Sequence, residues 1–192
     1  MDNLFSTIPT MQGDRVTLRR LTEANAGSLK ELTDSEKVYR YLPTFLYEQK
    51  YEDKAFVIRR LYDECLESSL ILGVFIGDTF CGLAEIYGYF APLSKVSVGY
   101  RLLEKWWGQG IATETLGVIV KYLFGETDVK VITASTMTEN KASTNVLQKN
   151  GFKHAVYTVL EHWGYHKPIL TEKWIKAKHN QPYSFRDHHS QN

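Results

Sequence analysis

Apolar and polar positions follow two regular spacings along most of this chain, and each spacing predicts one kind of element. Alternation, or a short apolar run bounded by turn residues, is typical of strands, whereas recurrence every three to four positions is typical of amphipathic helices. Strands are predicted at residues 15–19, 70–76, 80–90, 95–103, 129–137, 152–160 and 169–176. Helices are predicted from Thr22 to before Pro43 and at 53–66, 111–124 and 140–150.

The order of these predicted elements limits the fold. One strand and two helices come first, a three-strand meander follows, and the remainder is helix, strand, helix, strand, strand. Hairpins pair antiparallel, whereas the strand–helix–strand unit around the third helix requires a parallel crossover. We therefore predict an α+β fold (a mixed α/β sheet) with about seven strands and about four helices. The 192 residues fit a single domain with a core at about 14–177, a loosely ordered leader at 1–13 and a similar tail at 178–192.

A glycine pair, Gly108 and Gly110, separates the strand at 95–103 from the long helix at 111–124. The first turn of a helix carries unpaired N–H donors and a partial positive charge, so it is a natural seat for a phosphate group. Glycine allows positive φ and lets a ligand approach the main chain closely. The loop is therefore a candidate phosphate-binding site.

Three kinds of phosphate loop are possible here. A Walker loop requires Lys-Ser/Thr after its second glycine, where this chain has Ile111 and Ala112. A dinucleotide fingerprint requires a third glycine where Thr113 stands, although Asp128 lies about 20 residues on, as that motif expects. Too little chain follows to complete a doubly wound sheet. The third possibility is a loop for the pyrophosphate of coenzyme A.

A second motif lies in the short helix predicted at 140–150. Asn140 is a suitable N-cap with Ser143 three residues later, and Gly151 stands where a left-handed residue ends a helix. Phe152 can then contact Leu147 across that turn. Both ends of this helix are thus specified locally.

The two motifs together resemble a known superfamily. The loop is similar to motif A of the GNAT acyltransferases, Q/R-x-x-G-x-G/A, except that Trp107 stands where Arg or Gln is usual. Its form Trp-Gly-Gln-Gly-x-Ala-Thr-Glu resembles the RimJ/RimL branch, which acetylates the N-termini of ribosomal proteins. The run from Asn140 to Phe152 resembles motif B. Both occur in order, about 30 residues apart, which is the size of a βαβ unit.

The resemblance implies a GNAT fold and a site for acetyl-CoA. In that fold the strands at 95–103 and 129–137 splay apart at a bulge, and pantetheine lies between them. The main chain of four residues would pair with pantetheine: Tyr100, Arg101, Leu102 and Leu103. N–H groups would hold the pyrophosphate at Trp107, Gly108, Gln109, Gly110, Ile111, Ala112 and Thr113. Asn140 would contact CoA, or serve as the N-cap, or do both.

Acetylation of an amine requires a neutral nucleophile, a donor for the oxyanion and help for the departing thiolate. Ser143 is the candidate for the thiolate, by resemblance to the RimJ/RimL branch, although its capping position alone explains a serine. Glu85, a charge in the middle of a strand, is a candidate base, as are Glu161 and His162 near the end of the strand at 152–160. A water chain without a dedicated base is the alternative.

Composition excludes several classes of protein. The 23 basic and 22 acidic residues give a net charge of +1, which does not indicate a nucleic-acid or membrane surface. Cys65 and Cys81 form neither a metal-site spacing nor a disulfide framework, and the histidines show no metal-ligand pattern. The apolar run at 70–76 is far shorter than the ~20 residues of a membrane span. We expect a cytoplasmic protein without a metal, either a monomer or a homodimer.

The function that follows is an N-acetyltransferase. It would transfer the acetyl group of acetyl-CoA to a primary amine, either a protein N-terminus or a small molecule, by direct attack in a ternary complex. A non-catalytic CoA-binding regulatory module on the same fold is the main alternative, and a nucleotide-binding oxidoreductase is a second. The acceptor is not evident from the sequence.

Overall fold

One mixed sheet organises the molecule. The computed structural model describes residues 4–5, 7–65 and 68–178. Within them, eight strands pair in the order β1-β2-β3-β4-β5-β6-β8-β7. Their bounds are β1 Met11–Gln12, β2 Val16–Arg19, β3 Ser69–Ile76, β4 Thr79–Phe90, β5 Lys95–Leu102, β6 Val131–Met137, β7 Lys153–Glu161 and β8 Ile169–Ala177. The predicted mixed sheet is confirmed.

Helices cover both faces of this sheet. They are α1 Ala26–Thr33, α2 Glu36–Tyr39, α3 Lys54–Cys65, α4 Ile111–Glu126 and α5 Lys141–Lys149. Apolar residues of α1 and α3 pack on one face, against residues such as Ile71 and Leu83, and those of α4 and α5 pack on the other, against residues such as Val96 and Ile132. Because helices cover both its faces, β3 is buried along its six central residues and reads as a continuous apolar run. We call the two sides the α1/α3 face and the α4/α5 face.

The parallel pair β5–β6 is joined along only part of its length. Lys95–Ser97 pair with Val131–Thr133, and beyond these residues the two strands separate. Each strand stays paired on its other side, β5 with β4 as far as Leu102 and β6 with β8 as far as Met137. The predicted splay is therefore confirmed. A register shift lies in the neighbouring β4–β5 ladder, between Tyr87 and Phe90.

The start of the chain differs from the predicted leader at 1–13. Among the described residues of this segment, Phe5 and Met11 are buried, and Met11 and Gln12 pair with Leu18 and Thr17 as β1, a strand beyond the seven predicted. A two-residue strand is too short to show alternation, which is why the pattern did not predict it. At the other end, residues 179–192 of the predicted tail lie outside the described residues, while the Lys178 N–H donates to the carbonyl of Lys130 (2.9 Å).

The first predicted helix is broken in two. Helix α1 ends at Thr33, and α2 restarts after Ser35, whose side chain accepts a hydrogen bond from the N–H of Val38 (3.3 Å). This second N-cap divides what the apolar spacing indicated as one helix. No helix among the described residues has the length and apolar content needed to cross a membrane.

Candidate active site

The glycine loop presents main-chain donors to open space. Gly108 and Gly110 have φ of +71° and +79°, and Gly110 is the N-cap of α4. The N–H of Glu114 donates to the carbonyl of Gly110 (3.0 Å). Among the described residues, none of the N–H groups of 108–113 donates to a main-chain carbonyl. A Cβ built on Gly108 meets no atom within 4 Å, so a pyrophosphate could approach these donors.

Trp107 departs from its predicted role. Its N–H donates to the carbonyl of Glu104 (3.0 Å) and closes a short 3₁₀ turn, so this amide is already used. Its indole Nε1 donates to the carbonyl of Leu102 (2.8 Å). The Trp107 side chain therefore attaches the loop to the end of β5. Of the main-chain N–H groups predicted to hold phosphate, those of residues 108–113 remain candidates.

Only half of the predicted pantetheine edge faces the gap between β5 and β6. The Leu103 N–H donates to the carbonyl of Cys81 on β4 (2.9 Å). Since alternate residues of a strand direct their N–H and C=O groups to opposite neighbours, Arg101 and Leu103 face β4, while Tyr100 and Leu102 face the gap. The main chain of Arg101 and Leu103 is therefore directed at β4, and of the predicted pantetheine contacts this orientation favours those of Tyr100 and Leu102.

An ion pair from the start of the chain holds the loop in place. Glu114 accepts hydrogen bonds from the N–H groups of Arg15 (2.6 Å) and Val16 (3.0 Å) and from Nε of Arg15 (2.9 Å). The Arg15 guanidinium also donates to the carbonyl of Gln109 (3.1 Å). Burial alone would raise the pKa of Glu114, but these hydrogen bonds outweigh it and hold the pKa below its usual range. Ninety-nine residues separate the partners, so no local pattern could have indicated this contact.

Two hydroxyl groups meet at the far end of the gap. Asn140 accepts from the N–H of Ser143 (3.1 Å), which confirms its capping role. The Oγ of Ser143 lies 2.9 Å from the phenol oxygen of Tyr100 on β5. Burial raises the pKa of Tyr100 to about 12, against a smaller opposing effect of Ser143, so the phenol keeps its proton at neutral pH. Tyr100 was predicted only as a main-chain contact, because its reach to α5 depends on the tertiary packing.

Glu85 belongs to a buried charge cluster on the other face of the sheet. Its carboxylate accepts from Nη1 of Arg101 (3.2 Å), and Nε of Arg101 lies 2.6 Å from Oε1 of Glu48. The side chains of Arg101 and Glu48 are 3% and 1% exposed, whereas that of Glu85 is 16% exposed. Burial raises the pKa of Glu85; Arg101 opposes this rise and Glu48 adds to it. The mid-strand charge is thus explained by a partner that the sequence did not reveal.

The third region of candidate residues lies where β7 ends. Glu161 contacts Nζ of Lys173 (2.5 Å) and accepts from the hydroxyl of Thr171 (2.7 Å). These hydrogen bonds outweigh burial and hold the pKa of Glu161 below its usual range. His162 is exposed, and no hydrogen bond among the described residues joins it to Glu85 or Ser143. The structure does not bring the three predicted catalytic residues, Ser143, Glu85 and His162, into one contact group.

A cavity of about 360 Å³ lies beside the carboxyl end of β6. The connection between α2 and α3 and the β7–β8 turn form its walls, and they are joined by the Tyr165 hydroxyl, which donates to the carbonyl of Leu42 (2.7 Å). Its lining residues are Arg40, Tyr41, Met137, Thr138, Glu139, Tyr165, Pro168, Ile169 and Leu170. Among the described residues, no group of His, Cys, Asp and Glu is arranged to hold a metal ion.

A splayed β5–β6 pair with a glycine loop at the head of α4 is the arrangement expected of one family. A family model described as an acetyltransferase (GNAT) domain matches residues 15–153. The chain belongs to the GNAT acetyltransferase family. The protein is accordingly an acetyl-CoA-dependent acyltransferase.

Curated and solved relatives agree with this membership. The uncharacterized N-acetyltransferase YoaA of Bacillus subtilis is 25% identical over 149 residues, which cover 76% of this chain and 83% of YoaA. The structure of Mycobacterium smegmatis RimJ in complex with CoA-disulfide is similar with a TM-score of 0.77 and 18% identity, covering 95% of this chain and 92% of RimJ. The structure of RimL, a ribosomal L7/L12 α-N-protein acetyltransferase, in complex with coenzyme A has a TM-score of 0.72 and 15% identity, covering 88% and 98%.

Proposed function

We propose that the protein transfers the acetyl group of acetyl-CoA to a primary amine, either a protein N-terminus or a small molecule, by direct attack in a ternary complex. The observation that carries this proposal is the partial separation of β5 from β6. It leaves a gap with phosphate donors at one end, a hydroxyl pair on the α4/α5 face and a carboxylate on the α1/α3 face.

Acetyl-CoA would contact the protein through its pyrophosphate, its pantetheine arm and its thioester. The N–H groups of 108–113 would receive the two phosphates, since they have no main-chain acceptor among the described residues. Pantetheine would pair with the main chain of Tyr100, while the Leu102 carbonyl is already occupied by the indole of Trp107. The thioester would then reach the first turn of α5, where Asn140 and Ser143 lie. Bound there, acetyl-CoA supplies the activated acyl group.

The acceptor would approach from the opposite face. A free alkylamine has a pKa near ~10 and is charged at neutral pH, so it must lose a proton before it attacks. Glu85 is the base we propose, because it lies opposite Gly99, two residues beyond the last β5–β6 pair at Ser97. The exposed His162 has no partner among the described residues that would orient it. Glu85 would take the ammonium proton first, so that the neutral amine attacks the thioester. As the C–N bond forms and the C–S bond breaks, the nitrogen loses a second proton, which balances the departing thiolate, and coenzyme A leaves as the free thiol.

The hydroxyl pair would act on the leaving thiolate. A thiol has a pKa of about 8.5, well below the value of about 12 for Tyr100, so the phenol is too weak an acid to protonate the thiolate fully. It can orient Ser143 and let that hydroxyl donate a hydrogen bond to sulfur. We therefore propose Ser143 as the residue that contacts the thiolate and Tyr100 as its partner.

The test is amine-dependent release of free thiol from acetyl-CoA. The amines are peptides with free N-termini, a polyamine and an aminoglycoside, and mass spectrometry identifies the acetylated product. We expect thiol release with one amine class and a matching product. A protein that binds acetyl-CoA but releases no thiol with or without amine would instead support the non-catalytic CoA-binding module.

A further inference from the structure

Arg101 and Glu48 form a buried pair behind Glu85. Arg101 lies between two carboxylates, with Nε 2.6 Å from Glu48 and Nη1 3.2 Å from Glu85. Oε2 of Glu48 and both Nε and Nη2 of Arg101 are buried and have no hydrogen-bond partner among the described residues, so the Nε contact with Glu48 is an ion pair without hydrogen-bond geometry. A buried ion pair is costly unless it is fully satisfied, so this incomplete one is a poor device for stability alone. The position of the pair directly behind Glu85 indicates a functional role instead.

The side chains of Glu48, Arg101 and Glu85 carry an excess of negative charge among themselves, and the Lys54 ammonium contacts the main-chain carbonyl of Glu48. With both carboxylates ionised, two negative groups share one guanidinium, and the net charge is −1. Of the three side chains, that of Glu85 is the most exposed, at 16% against 3% for Arg101 and 1% for Glu48. The excess charge is therefore available to a ligand at Glu85, beside the open part of β5. An ammonium group is the ligand that would neutralise it.

The pair also connects this carboxylate to the wall of the cavity. Glu48 lies in the 3₁₀ turn Tyr47–Gln49 and accepts from the hydroxyl of Tyr39 (2.9 Å) at the end of α2. The next two residues, Arg40 and Tyr41, line the cavity. Lys54 fixes the turn by donating to the carbonyls of Glu48 (2.9 Å) and Tyr51 (2.7 Å). The connection between α2 and α3 thus contacts Arg101 through the Glu48 side chain.

We propose that Arg101 and Glu48 are positioning residues: Arg101 holds the Glu85 carboxylate at the gap, and Glu48 takes part of the guanidinium charge, so that Glu85 binds the acceptor's ammonium and accepts its proton. The proposal rests on the function proposed above. Without Glu48, Arg101 would compensate Glu85 fully and make it a weaker base. Without Arg101, two carboxylates would face each other and Glu85 would be held protonated at neutral pH.

Other charged or titratable groups also act on Glu85. Tyr39 contacts Glu48, and Tyr87, two residues along the same strand, is close enough to both Glu85 and Glu161 that each carboxylate raises its pKa. The groups that act on Glu85 are thus Arg101 and Glu48 directly and Tyr87 on the same strand, while Tyr39 and Lys54 act on Glu48. None of these is changed in charge by the variants below except the one substituted.

The experiment compares Glu48→Gln with the wild type, because glutamine keeps the size and an acceptor for Tyr39 while it removes the charge. The acid limb of the pH profile of kcat/KM for the amine shifts down by about one pH unit, and KM for the amine rises about tenfold, while KM for acetyl-CoA is unchanged. Arg101→Met shifts the acid limb up instead, and Arg101→Lys restores it partly. Glu23→Gln, which removes an exposed ion pair with Arg59, is the matched control and leaves the profile unchanged.

A second readout requires no activity. In protein with ¹³C-labelled glutamate, the Glu85 carboxyl resonance, assigned with Glu85→Gln, titrates at lower pH in Glu48→Gln than in the wild type. An unchanged titration overturns the proposal, whatever the activity, and it does so even if Arg101→Met does not fold. Absence of amine-dependent turnover in the wild type rejects the proposed function separately.

Discussion

The hydroxyls of Tyr100 and Ser143 join two elements that the sheet itself leaves apart. Tyr100 comes from β5, and Ser143 comes from the first turn of α5, which follows β6. Their contact crosses the gap on the α4/α5 face, where the thioester of acetyl-CoA would lie. The two neutral hydroxyls are 2.9 Å apart, so Tyr100 can donate a hydrogen bond to Ser143 while Ser143 donates one to the thiolate. Because each hydrogen bond in such a chain strengthens the next, we expect the pair to act as one unit.

Removing either hydroxyl of this pair should lower turnover. For Tyr100→Phe and Ser143→Ala we expect kcat to fall about tenfold, the effect of one lost hydrogen bond to a charged group, with KM for acetyl-CoA nearly unchanged. The double variant should be no slower than the slower single variant. Thr144→Val on the same helix, where the hydroxyl contacts Glu172, is the control. Steady-state kinetics showing additive losses, or none, would contradict a joint role.

At the residue scale, the sequence indicated which side chains are unusual at their positions more reliably than it indicated which residues they contact. Asn140 and Ser143 could be assigned from local spacing because an N-cap is a contact over three residues. Glu85 could be singled out as a charge in a strand, but the Arg101 that explains it is 16 residues away along the chain and Glu48 is on another element. Such contacts depend on tertiary packing and leave no periodic signal.

Two features at the start of α4 suit it to the phosphate binding that we propose. The left-handed Gly110 ends the loop and begins the helix, and Glu114 in the first turn is attached to the start of β2. The loop donors therefore stand on a helix that is fixed to the sheet. Further along, α4 continues past its predicted end at residue 124 and stops at Glu126, where the Thr127 hydroxyl donates to the carbonyl of Leu123 (2.5 Å). By contrast, Gly151 ends α5 as predicted, with φ of +73° and the N–H of Phe152 donating to Leu147.

Gly108→Ala tests the loop without filling a protein contact. Its Cβ would stand in the open space in front of the donors, where the pyrophosphate would lie. We expect affinity for CoA, measured by calorimetry, to fall more than tenfold and stability to fall by about 1 kcal/mol from the left-handed strain. Gly77→Ala is the matched control, because Gly77 also has positive φ and open space but lies in the β3–β4 turn. Equal CoA affinities in the two variants would show that the loop is not the phosphate site.

Glu114→Gln tests the attachment of α4 to β2. Because the folded-state pKa of Glu114 is lowered, its ionised form stabilises the fold above the unfolded-state pKa of about 4.3, and this contribution is lost as the pH falls through the folded-state value. We expect the variant to be about 1 kcal/mol less stable at pH 7, with the difference shrinking below about pH 4. Urea unfolding at both pH values measures this, and Glu126→Gln at the other end of α4 is the control. A difference that is independent of pH would exclude the ionic contribution.

At the scale of the whole molecule, the proposed sites for the two substrates lie on opposite faces of the sheet. The proposed donors for CoA lie at the head of α4 and the hydroxyl pair lies on the α4/α5 face. Glu85 lies on the α1/α3 face, and both it and the cavity beside the carboxyl end of β6 are linked to the connection between α2 and α3. The fold could be predicted because the order of elements and two local motifs specify it. The acceptor side could not, since its walls are joined by contacts such as Tyr165 to Leu42, which are 123 residues apart.

The most direct test of this account is a map of main-chain amide resonances as CoA is added to ¹⁵N-labelled protein. We predict that the largest shifts fall on residues 108–113, on Tyr100 and Leu102, and on Asn140 to Ser143, with small shifts on β7 and β8. Shifts concentrated elsewhere, with residues 108–113 unchanged at saturating CoA, would contradict the assignment of the loop and of the gap between β5 and β6.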